Sequence, residues 1–239
     1  MDSVNWQEIH LHNLSTASSN ADFFKVLAGI ARDLGFDYCA YGMRVPVPVT
    51  QPKILLINNY STEWQERYVS QNYLAVDPTV RHGMNSAEPL IWAESGQSSS
   101  SPFWSDALDH GLRVGWAQSS FDARGVVGML TLARSGAELM PKELRANALK
   151  MSWLVQAAHN GMMRLQAGKQ LPAVLSAKLT ARETEVLRWT ADGKTSSEVG
   201  QIMSISERTV NFHVNNSLEK LGAANKTAGV VLAALLRLL

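Results

Sequence analysis

Apolar residues recur at helical spacing in several stretches of the N-terminal half and alternate with polar residues in others. The run Asn20–Leu34 has apolar side chains three or four positions apart and is followed by Gly35, which predicts a helix with a glycine stop. The same criteria predict helices at Ser61–Gln71, Pro102–His110 and Lys142–Leu165. Strands are predicted at Phe36–Tyr41, Lys53–Ile57, Pro89–Trp92, Val114–Ser120 and Gly125–Ala133. This mixture predicts a mainly antiparallel sheet with helices on both faces, an α/β/α sandwich that can enclose a small molecule.

The C-terminal segment has no strand pattern and is dense in helix-capping signals. Thr180–Glu183 and Thr195–Glu198 both fit a capping box, in which a threonine and a glutamate three residues later satisfy each other's backbone amides. Ser206 and Asn225 are placed to cap two further helices, the first of which ends at Gly222. A short helix joined by three residues to a longer polar one predicts a helix-turn-helix within an all-α, four-helix domain. The fold class is therefore α+β.

The helix that follows Ser206 has two unlike faces. At 100° per residue, one face carries Val210, Val214, Ser217 and Leu221. The opposite face carries Arg208, Phe212, Asn215, Asn216 and Glu219. Arginine and asparagine can bond the edges of guanine and adenine in the major groove. From this helix alone, a DNA-reading face and an ordinary solvated face remain equally acceptable.

Composition adds little about function. The chain has 239 residues, with 22 basic and 21 acidic side chains and a net charge of +1, so charge alone does not indicate a nucleic-acid partner. A single cysteine, Cys39, excludes an internal disulfide and any CxxC metal or redox site. The apolar stretches are too short to cross a bilayer, and the first residues lack the features of a signal peptide, so we expect a cytoplasmic protein with no membrane partner. Residues 97–101, QSSSS, are predicted to form a loop.

The run from Leu179 to Lys226 resembles the DNA-binding domain of the LuxR family, including Glu183 and Gly193. The resemblance implies double-stranded DNA with a palindromic operator as partner. The DNA-binding residues that we carry over are Lys194, Thr195, Arg208, Thr209, Asn211, Phe212, Asn215, Asn216 and Lys220. Ser217 departs from the family, which usually has an apolar residue there. Its hydroxyl either bonds back to the helix or loosens the packing.

The segment Asn59–Val80 resembles the ligand-binding domain of LuxR-type quorum-sensing receptors, whose members bind N-acyl-homoserine lactones. By residue type alone, ordinary core is the favoured interpretation of the aromatic stripe at Tyr60, Trp64 and Tyr68. The resemblance implies that Trp64 donates to the lactone carbonyl, Asp77 accepts the amide N–H and Tyr60 donates to the acyl carbonyl. It further implies that Trp92 walls the lactone, Tyr68 borders the acyl tail, and Thr131 and Thr79 belong to the site. We expect no cofactor and no metal, and an acyl chain of about eight carbons on general similarity to receptors for medium chains.

The resemblance implies an autoinducer-binding domain at 1–165, a linker at 166–176 and a helix-turn-helix domain at 177–239. It also implies a homodimer, with RNA polymerase as a further partner. The predicted helix 142–165 carries an apolar seam, with Leu144, Ala148, Met151, Val155, Ala158, Met162 and Leu165 at heptad-like steps. This seam could pack on the domain's own sheet or on a partner subunit, and the sequence leaves both open.

Two other classes of function are alternatives to a lactone-responsive transcription factor. An enzyme is disfavoured because the chain lacks GxSxG, HExxH, GxGxxG and a complete phosphate-binding loop. The second alternative is a DNA-binding protein that needs no ligand and uses its N-terminal domain only for dimerisation. The combination of Tyr60, Trp64 and Asp77 argues against it.

Overall fold

The structure, a computed structural model, describes residues 3–93, 101–167 and 171–239. Most of the predicted loop at 97–101 and three residues of the predicted linker at 166–176 lie outside these ranges. The chain divides into two compact units, one with the sheet and the first six helices and the other with the last four helices. Within the described ranges, none of the helices combines the length and the apolar character that a membrane span requires.

The N-terminal unit contains six α-helices and five strands within the described residues. The helices are α1 (Ser3–Thr16), α2 (Asn20–Asp33), α3 (Thr62–Ser70), α4 (Pro78–Asn85), α5 (Pro102–Asp109) and α6 (Pro141–Gln166). The strands are β1 (Tyr38–Val45), β2 (Lys53–Asn58), β3 (Leu90–Ala93), β4 (Val114–Phe121) and β5 (Val127–Arg134). Each predicted element is present with ends shifted by a few residues, as expected where helix ends fray and capping is not read exactly from sequence.

Helices α1 and α4 are absent from the sequence-based prediction. In the structure, Asp77 and Pro78 begin α4. Pro78 occupies the first helical turn, where its missing N–H costs nothing, and the Asp77 side chain accepts the backbone N–H of Thr79. Helix α4 escaped prediction because it is only eight residues long and buries little more than Thr79 and Gly83.

The five strands form one sheet in the order β2-β1-β5-β4-β3, so β5 is central. The pairs β1–β5, β5–β4 and β4–β3 are antiparallel. Helices α4 and α6 both pack against β4 and β5. They cover opposite faces, since Ser120 bonds Gln156 of α6 while a side chain at Gly83 of α4 would meet Ser119, the next residue along β4. The N-terminal unit is thus an α/β/α sandwich.

Helix α6 resolves part of the question about its apolar seam. From Met151 to Leu165 the seam residues are buried within the chain, where α6 packs on the sheet and on α1 and α2. Nearer its beginning Ala148 is exposed, and the adjacent Leu149 is 83% exposed. The second half of the seam is therefore core of the domain itself, and only the first half is left to face another surface.

The C-terminal unit consists of α7 (Ala181–Ala191), α8 (Ser196–Met203), α9 (Glu207–Leu221) and α10 (Lys226–Leu235). Both predicted capping boxes form, and Ser206 and Asn225 cap α9 and α10 as predicted. Helices α8 and α9 are the two helices of the helix-turn-helix. Ser217 is fully buried and its hydroxyl donates to the carbonyl of His213 at 2.8 Å, so the back-bonded arrangement is the one present.

Candidate functional site

A cavity of about 790 Å³ lies in the N-terminal unit. Its lining comes from one face of the sheet and from helices α3, α4 and α5, and it is mainly apolar. All the ligand-binding residues predicted from sequence line it: Tyr60, Trp64, Tyr68, Asp77, Thr79, Trp92 and Thr131. The size and the few polar groups suit a small organic molecule with an apolar part.

Asp77 is the acidic group of this cavity and is only 7% exposed. Its Oδ1 accepts the Thr79 N–H at 2.8 Å and the Thr79 hydroxyl at 2.7 Å, and its Oδ2 accepts the Tyr68 hydroxyl at 2.9 Å. Burial raises the pKa of Asp77, and these hydrogen bonds offset only part of the rise. The donors are all neutral, so the carboxylate is held in place but its charge is not compensated.

The Tyr68 hydroxyl therefore has a role that the sequence did not suggest. We expected this side chain to border an acyl tail, and it does line the cavity, but its polar tip orients Asp77. Burial, followed by the proximity of Asp77, raises the pKa of Tyr68 well above its ordinary value, so it stays a neutral donor. Burial likewise raises the pKa of Tyr60, whose hydroxyl is also kept protonated.

An aromatic cluster surrounds Trp64 of α3. Trp64 is 2% exposed and its ring lies 5.8 Å from Tyr68, 5.8 Å from Tyr73 and 6.0 Å from Phe103, measured between centroids. These are ordinary aromatic packing distances. The cluster fixes the Trp64 ring at the cavity wall, which a specific hydrogen-bond donor requires.

Trp92 forms a second wall. It lies across Gly115 on the neighbouring strand, where an added Cβ would come within 2.2 Å of the indole ring. Its centroid is 5.4 Å from that of Trp104. Within the described residues the buried Trp92 Nε1 has no hydrogen-bond partner, so the cavity holds a second indole donor besides Trp64.

Ser119 is a polar cavity residue that the sequence analysis missed. It is 2% exposed, on β4, and two positions beyond Ala117, which pairs with Thr131 of β5. The signal was present as a serine at an inward position of an alternating strand. It could be recognised only once the strand's orientation toward the cavity was known.

The predicted DNA-binding residues lie on α9 and just before α8. Exposed side chains among them are Lys194, Thr195, Arg208, Asn211, Phe212, Asn215 and Lys220, and Thr209 and Asn216 are half-buried. Phe212 is 59% exposed, which is unusual for an aromatic ring without a contact surface. The α9 face opposite its buried valines thus presents arginine, asparagine and an aromatic ring to the outside.

Asn211 and Lys220 already have side-chain partners on other helices of the C-terminal unit. Asn211 Oδ1 accepts the Ser196 hydroxyl at 2.8 Å, and Ser196 Oγ accepts Lys226 Nζ at 2.9 Å, which links α8, α9 and α10. Lys220 Nζ contacts both carboxylate oxygens of Glu183, at 2.7 and 2.9 Å. The DNA contacts predicted for Asn211 and Lys220 would have to form alongside these hydrogen bonds or replace them.

Glu183 is the buried carboxylate of the C-terminal unit, at 3% exposure. Burial alone would raise its pKa, but bonds from the Lys220 ammonium and the Thr180 backbone N–H hold the pKa below its usual range. The Glu183 side chain thus completes the capping box of α7 and connects α7 to α9.

Among the described residues no group of histidine, cysteine, aspartate or glutamate side chains is arranged to hold a metal ion.

Comparison with known families places both units. Residues 19–162 match the family described as "Autoinducer binding domain". Residues 177–233 match "Bacterial regulatory proteins, luxR family". Together the two matches cover most of the chain and correspond to its two compact units.

Relatives of similar length match nearly the whole chain. The chain is 44% identical over 236 residues to the transcriptional activator protein AnoR of Acinetobacter nosocomialis, covering 98% of this chain and 99% of AnoR. It is 47% identical over 222 residues to the transcriptional activator protein SolR of Ralstonia nicotianae, covering 93% and 94%. The crystal structure of Escherichia coli SdiA matches with a TM-score of 0.81 at 34% identity, over all of both chains.

Proposed function

The chain belongs to the LuxR family of autoinducer-binding transcriptional regulators, and from that premise we propose that it binds an N-acyl-homoserine lactone and, as a homodimer, a palindromic promoter. The family regulates transcription and is not enzymatic. The observation that carries the proposal is the set of donors and one carboxylate around an apolar cavity.

The chemistry of the cavity matches that of the lactone. An acyl-homoserine lactone offers two carbonyl acceptors, one amide N–H donor and an apolar chain. Asp77 is the acceptor for the amide N–H, Trp64 the donor to the lactone carbonyl, and Tyr60 the donor to the acyl carbonyl. Thr131 offers a further hydroxyl in the cavity. Thr79 and Tyr68 hold Asp77 in place, and Trp92 forms the wall beside the lactone. An amide donor would bring a fourth hydrogen bond to a buried carboxylate whose charge is uncompensated, which favours binding.

An acyl chain of about eight carbons is the length that we propose. The cavity has room for it, and its apolar lining includes Met84, Met129 and Val127. A solved structure of SdiA, 33% identical to this chain, is a complex with octanoyl-rac-glycerol, whose acyl group has the same length. That likeness supports the capacity of such a fold for a medium chain.

For DNA, we propose that α9 enters the major groove. Arg208, Asn215, Asn216 and Phe212 would face base edges, with Lys194, Thr195, Thr209, Asn211 and Lys220 toward the backbone. The exposed face of α9 and its rigid tie to α7 through Lys220 and Glu183 support this docking. RNA polymerase is the further partner that an activator of this kind would contact.

The homodimer follows from what a palindrome requires, because two half-sites need two recognition helices. On this chain the surface that supports it is the first half of α6, where Leu149 and Ala148 are exposed. We place the domain boundaries at 1–165 and 177–239, joined by the linker 166–176, and propose that the protein acts in the cytoplasm.

The experiment is to produce the full-length chain with an equimolar mixture of acyl-homoserine lactones, purify it, and identify the extracted small molecules by mass spectrometry. We expect one lactone enriched in near-stoichiometric amount, with Trp64→Phe retaining much less. A soluble, DNA-binding protein that carries no lactone would favour the alternative of a ligand-independent regulator whose N-terminal domain serves only dimerisation.

A further inference from the structure

Ser119 is a buried cavity residue to which the proposed function assigns no role. Its side chain is 2% exposed, it lines the cavity, and its Oγ has no hydrogen-bond partner among the described residues. Buried hydroxyl groups in proteins are nearly always hydrogen-bonded, because desolvating one without a partner is unfavourable. An orphan hydroxyl facing a ligand cavity therefore indicates a polar atom on the ligand.

The neighbouring residue shows that the strand can satisfy such a group where no ligand is involved. Ser120 is also 2% exposed, but its hydroxyl donates to Gln156 Oε1 of α6 at 2.9 Å. Because side chains alternate along β4, Ser119 points to the other face, toward α4 and the cavity. The two adjacent serines differ only in the face that they occupy, and the one facing the cavity is the one without a protein partner.

The wall opposite Ser119 leaves room for its hydroxyl. At Gly83 of α4 an added Cβ would lie 2.5 Å from Ser119 Oγ and 2.7 Å from Met129 Sδ. Any larger residue at position 83 would displace both groups from the cavity. Gly83 thus preserves a narrow niche with one hydroxyl at its end and the Met129 thioether beside it.

The position of this niche relative to Asp77 and Thr131 identifies the part of the ligand that reaches it. Ser119 pairs with Met129 and Ala117 pairs with Thr131, so the niche is one two-residue step from Thr131, about 6.8 Å along the strand. On α4, Gly83 follows Thr79, which holds Asp77, by one helical turn of about 6 Å.

A lactone whose amide is held by Asp77 has four bonds between its amide nitrogen and an oxygen on the third acyl carbon. Those bonds span about 4 to 5 Å. One further hydrogen bond of about 2.8 Å reaches a hydroxyl roughly 7 Å from the amide. This span is comparable to the strand step between Thr131 and the niche and to the helical turn between Thr79 and Gly83.

We propose that Ser119 is a specificity-determining residue that hydrogen-bonds an oxygen on the third acyl carbon. The preferred ligand is then a 3-hydroxy- or 3-oxo-acyl-homoserine lactone. A serine hydroxyl can donate to either oxygen and can also accept from a hydroxyl. The unsubstituted chain leaves the hydroxyl without a partner, and this is how a buried polar group discriminates between ligands. The inference rests on the proposed function, since it assumes that a lactone amide lies at Asp77.

The test uses the full-length protein and three synthetic ligands of equal length: octanoyl-, 3-hydroxyoctanoyl- and 3-oxooctanoyl-homoserine lactone. The half-maximal concentration of each is measured by thermal shift, and the decanoyl set is measured in parallel to remove any effect of chain length. For the wild type we expect the better substituted ligand to bind about fivefold more tightly than the unsubstituted one, the effect of roughly one net hydrogen bond.

In Ser119→Ala the advantage should fall below twofold while affinity for the unsubstituted lactone is maintained or improved. Ser119→Cys, which keeps the size but weakens the hydrogen bond, should give the same loss and serves if the alanine variant folds poorly. The matched control is Ser120→Ala, equally buried on the other face, which should keep the fivefold advantage even though its melting temperature is lower.

A substituent advantage that persists in Ser119→Ala and Ser119→Cys, or that is absent from the wild type, would overturn the assignment of Ser119 but leave lactone binding intact. If none of the lactones binds the wild type or Ser120→Ala, the proposed function itself fails, and this inference fails with it.

Discussion

Among the residues that the structure describes, each unit buries one carboxylate, and the pKa values of these two carboxylates are shifted in opposite directions. Asp77 in the N-terminal unit is 7% exposed and has a raised pKa, whereas Glu183 in the C-terminal unit is 3% exposed and has a lowered pKa. Both accept several hydrogen bonds, but only Glu183 has a cation, Lys220, among its donors. The C-terminal unit therefore pairs its buried carboxylate with a cation, while the N-terminal unit holds its buried carboxylate with neutral donors alone and leaves the charge for a ligand to compensate.

Buried hydrogen-bond donors differ between the two units in the same way. Trp92 Nε1 and Ser119 Oγ lie in the cavity of the N-terminal unit and have no partner among the described residues. In the C-terminal unit the buried Ser217 hydroxyl is bonded within its own helix, and Asn211 is bonded to Ser196. The orphan donors of the N-terminal unit thus belong to residues that line its cavity, whereas these two side chains of the C-terminal unit are bonded within that unit.

The largest effect is expected from Asp77→Asn. Asparagine retains an oxygen that can accept the Thr79 N–H and so preserves the cap of α4, but it removes the charge that an amide donor would meet. Hydrogen bonds to charged groups contribute about 1.5–3 kcal/mol, so lactone affinity should fall roughly 10- to 100-fold, measured by ligand titration of the melting temperature. Without lactone the variant should be as stable as the wild type or more stable, because a buried charge is gone. Unchanged affinity would show that Asp77 does not bind the ligand.

A smaller and opposite effect is expected from Glu183→Gln. The substitution weakens both the capping box of α7 and the contact with Lys220, so the free energy of unfolding of the C-terminal unit should fall by about 1–2 kcal/mol. Lactone affinity should not change, because the cavity lies in the other unit. Chemical denaturation measures the first quantity and lactone titration the second. A Glu183→Gln variant that lost lactone affinity but kept its free energy of unfolding would contradict the claim that Glu183 acts only within the C-terminal unit.

The smallest effect is a dependence of lactone affinity on pH. The folded-state pKa of Asp77 lies above the ordinary value of about 3.9, so Asp77 takes up a proton in the folded protein while the pH is still above that value. As the pH falls through this raised pKa, the wild type should lose the benefit of the charge. Its lactone affinity should fall several-fold and approach that of Asp77→Asn. The variant itself should show a flatter profile of lactone affinity against pH over the same range. Parallel profiles for the two proteins would assign the pH dependence to another group.

The same linkage predicts opposite changes in the stability of the two units. Protonation of Asp77 removes a buried charge, so on acidification this group favours the folded N-terminal unit. Glu183 has a lowered pKa, so its stabilisation is present above the ordinary glutamate pKa and is lost as the pH falls through the lower folded-state value.

The C-terminal unit could be predicted almost completely from sequence, because its signals are local. Thr180 with Glu183, and Thr195 with Glu198, satisfy each other within one helical turn, and the structure confirms both boxes. The pairing of Glu183 with Lys220 was not predicted, since the two residues are 37 positions apart and meet only when α7 packs on α9.

The N-terminal unit was predicted less completely, because its cavity is assembled from residues distant in sequence. The strands and most helices were predicted, but α4 was not, although it carries Thr79 and Gly83. Ser119 was missed for the same reason. Its face depends on the register of β4 with β5, which hydrophobic alternation alone does not determine for a strand buried on both sides.

Hydrogen exchange of the full-length protein with and without a saturating acyl-homoserine lactone tests the central contrast most directly. Ligand binding should slow exchange at amides of α3, α4, β4 and β5, which line or support the cavity, while amides in the cores of α7 and α9 should exchange at nearly the same rate in both samples. Slowed exchange of equal size in both units, or no slowing around the cavity, would contradict the account.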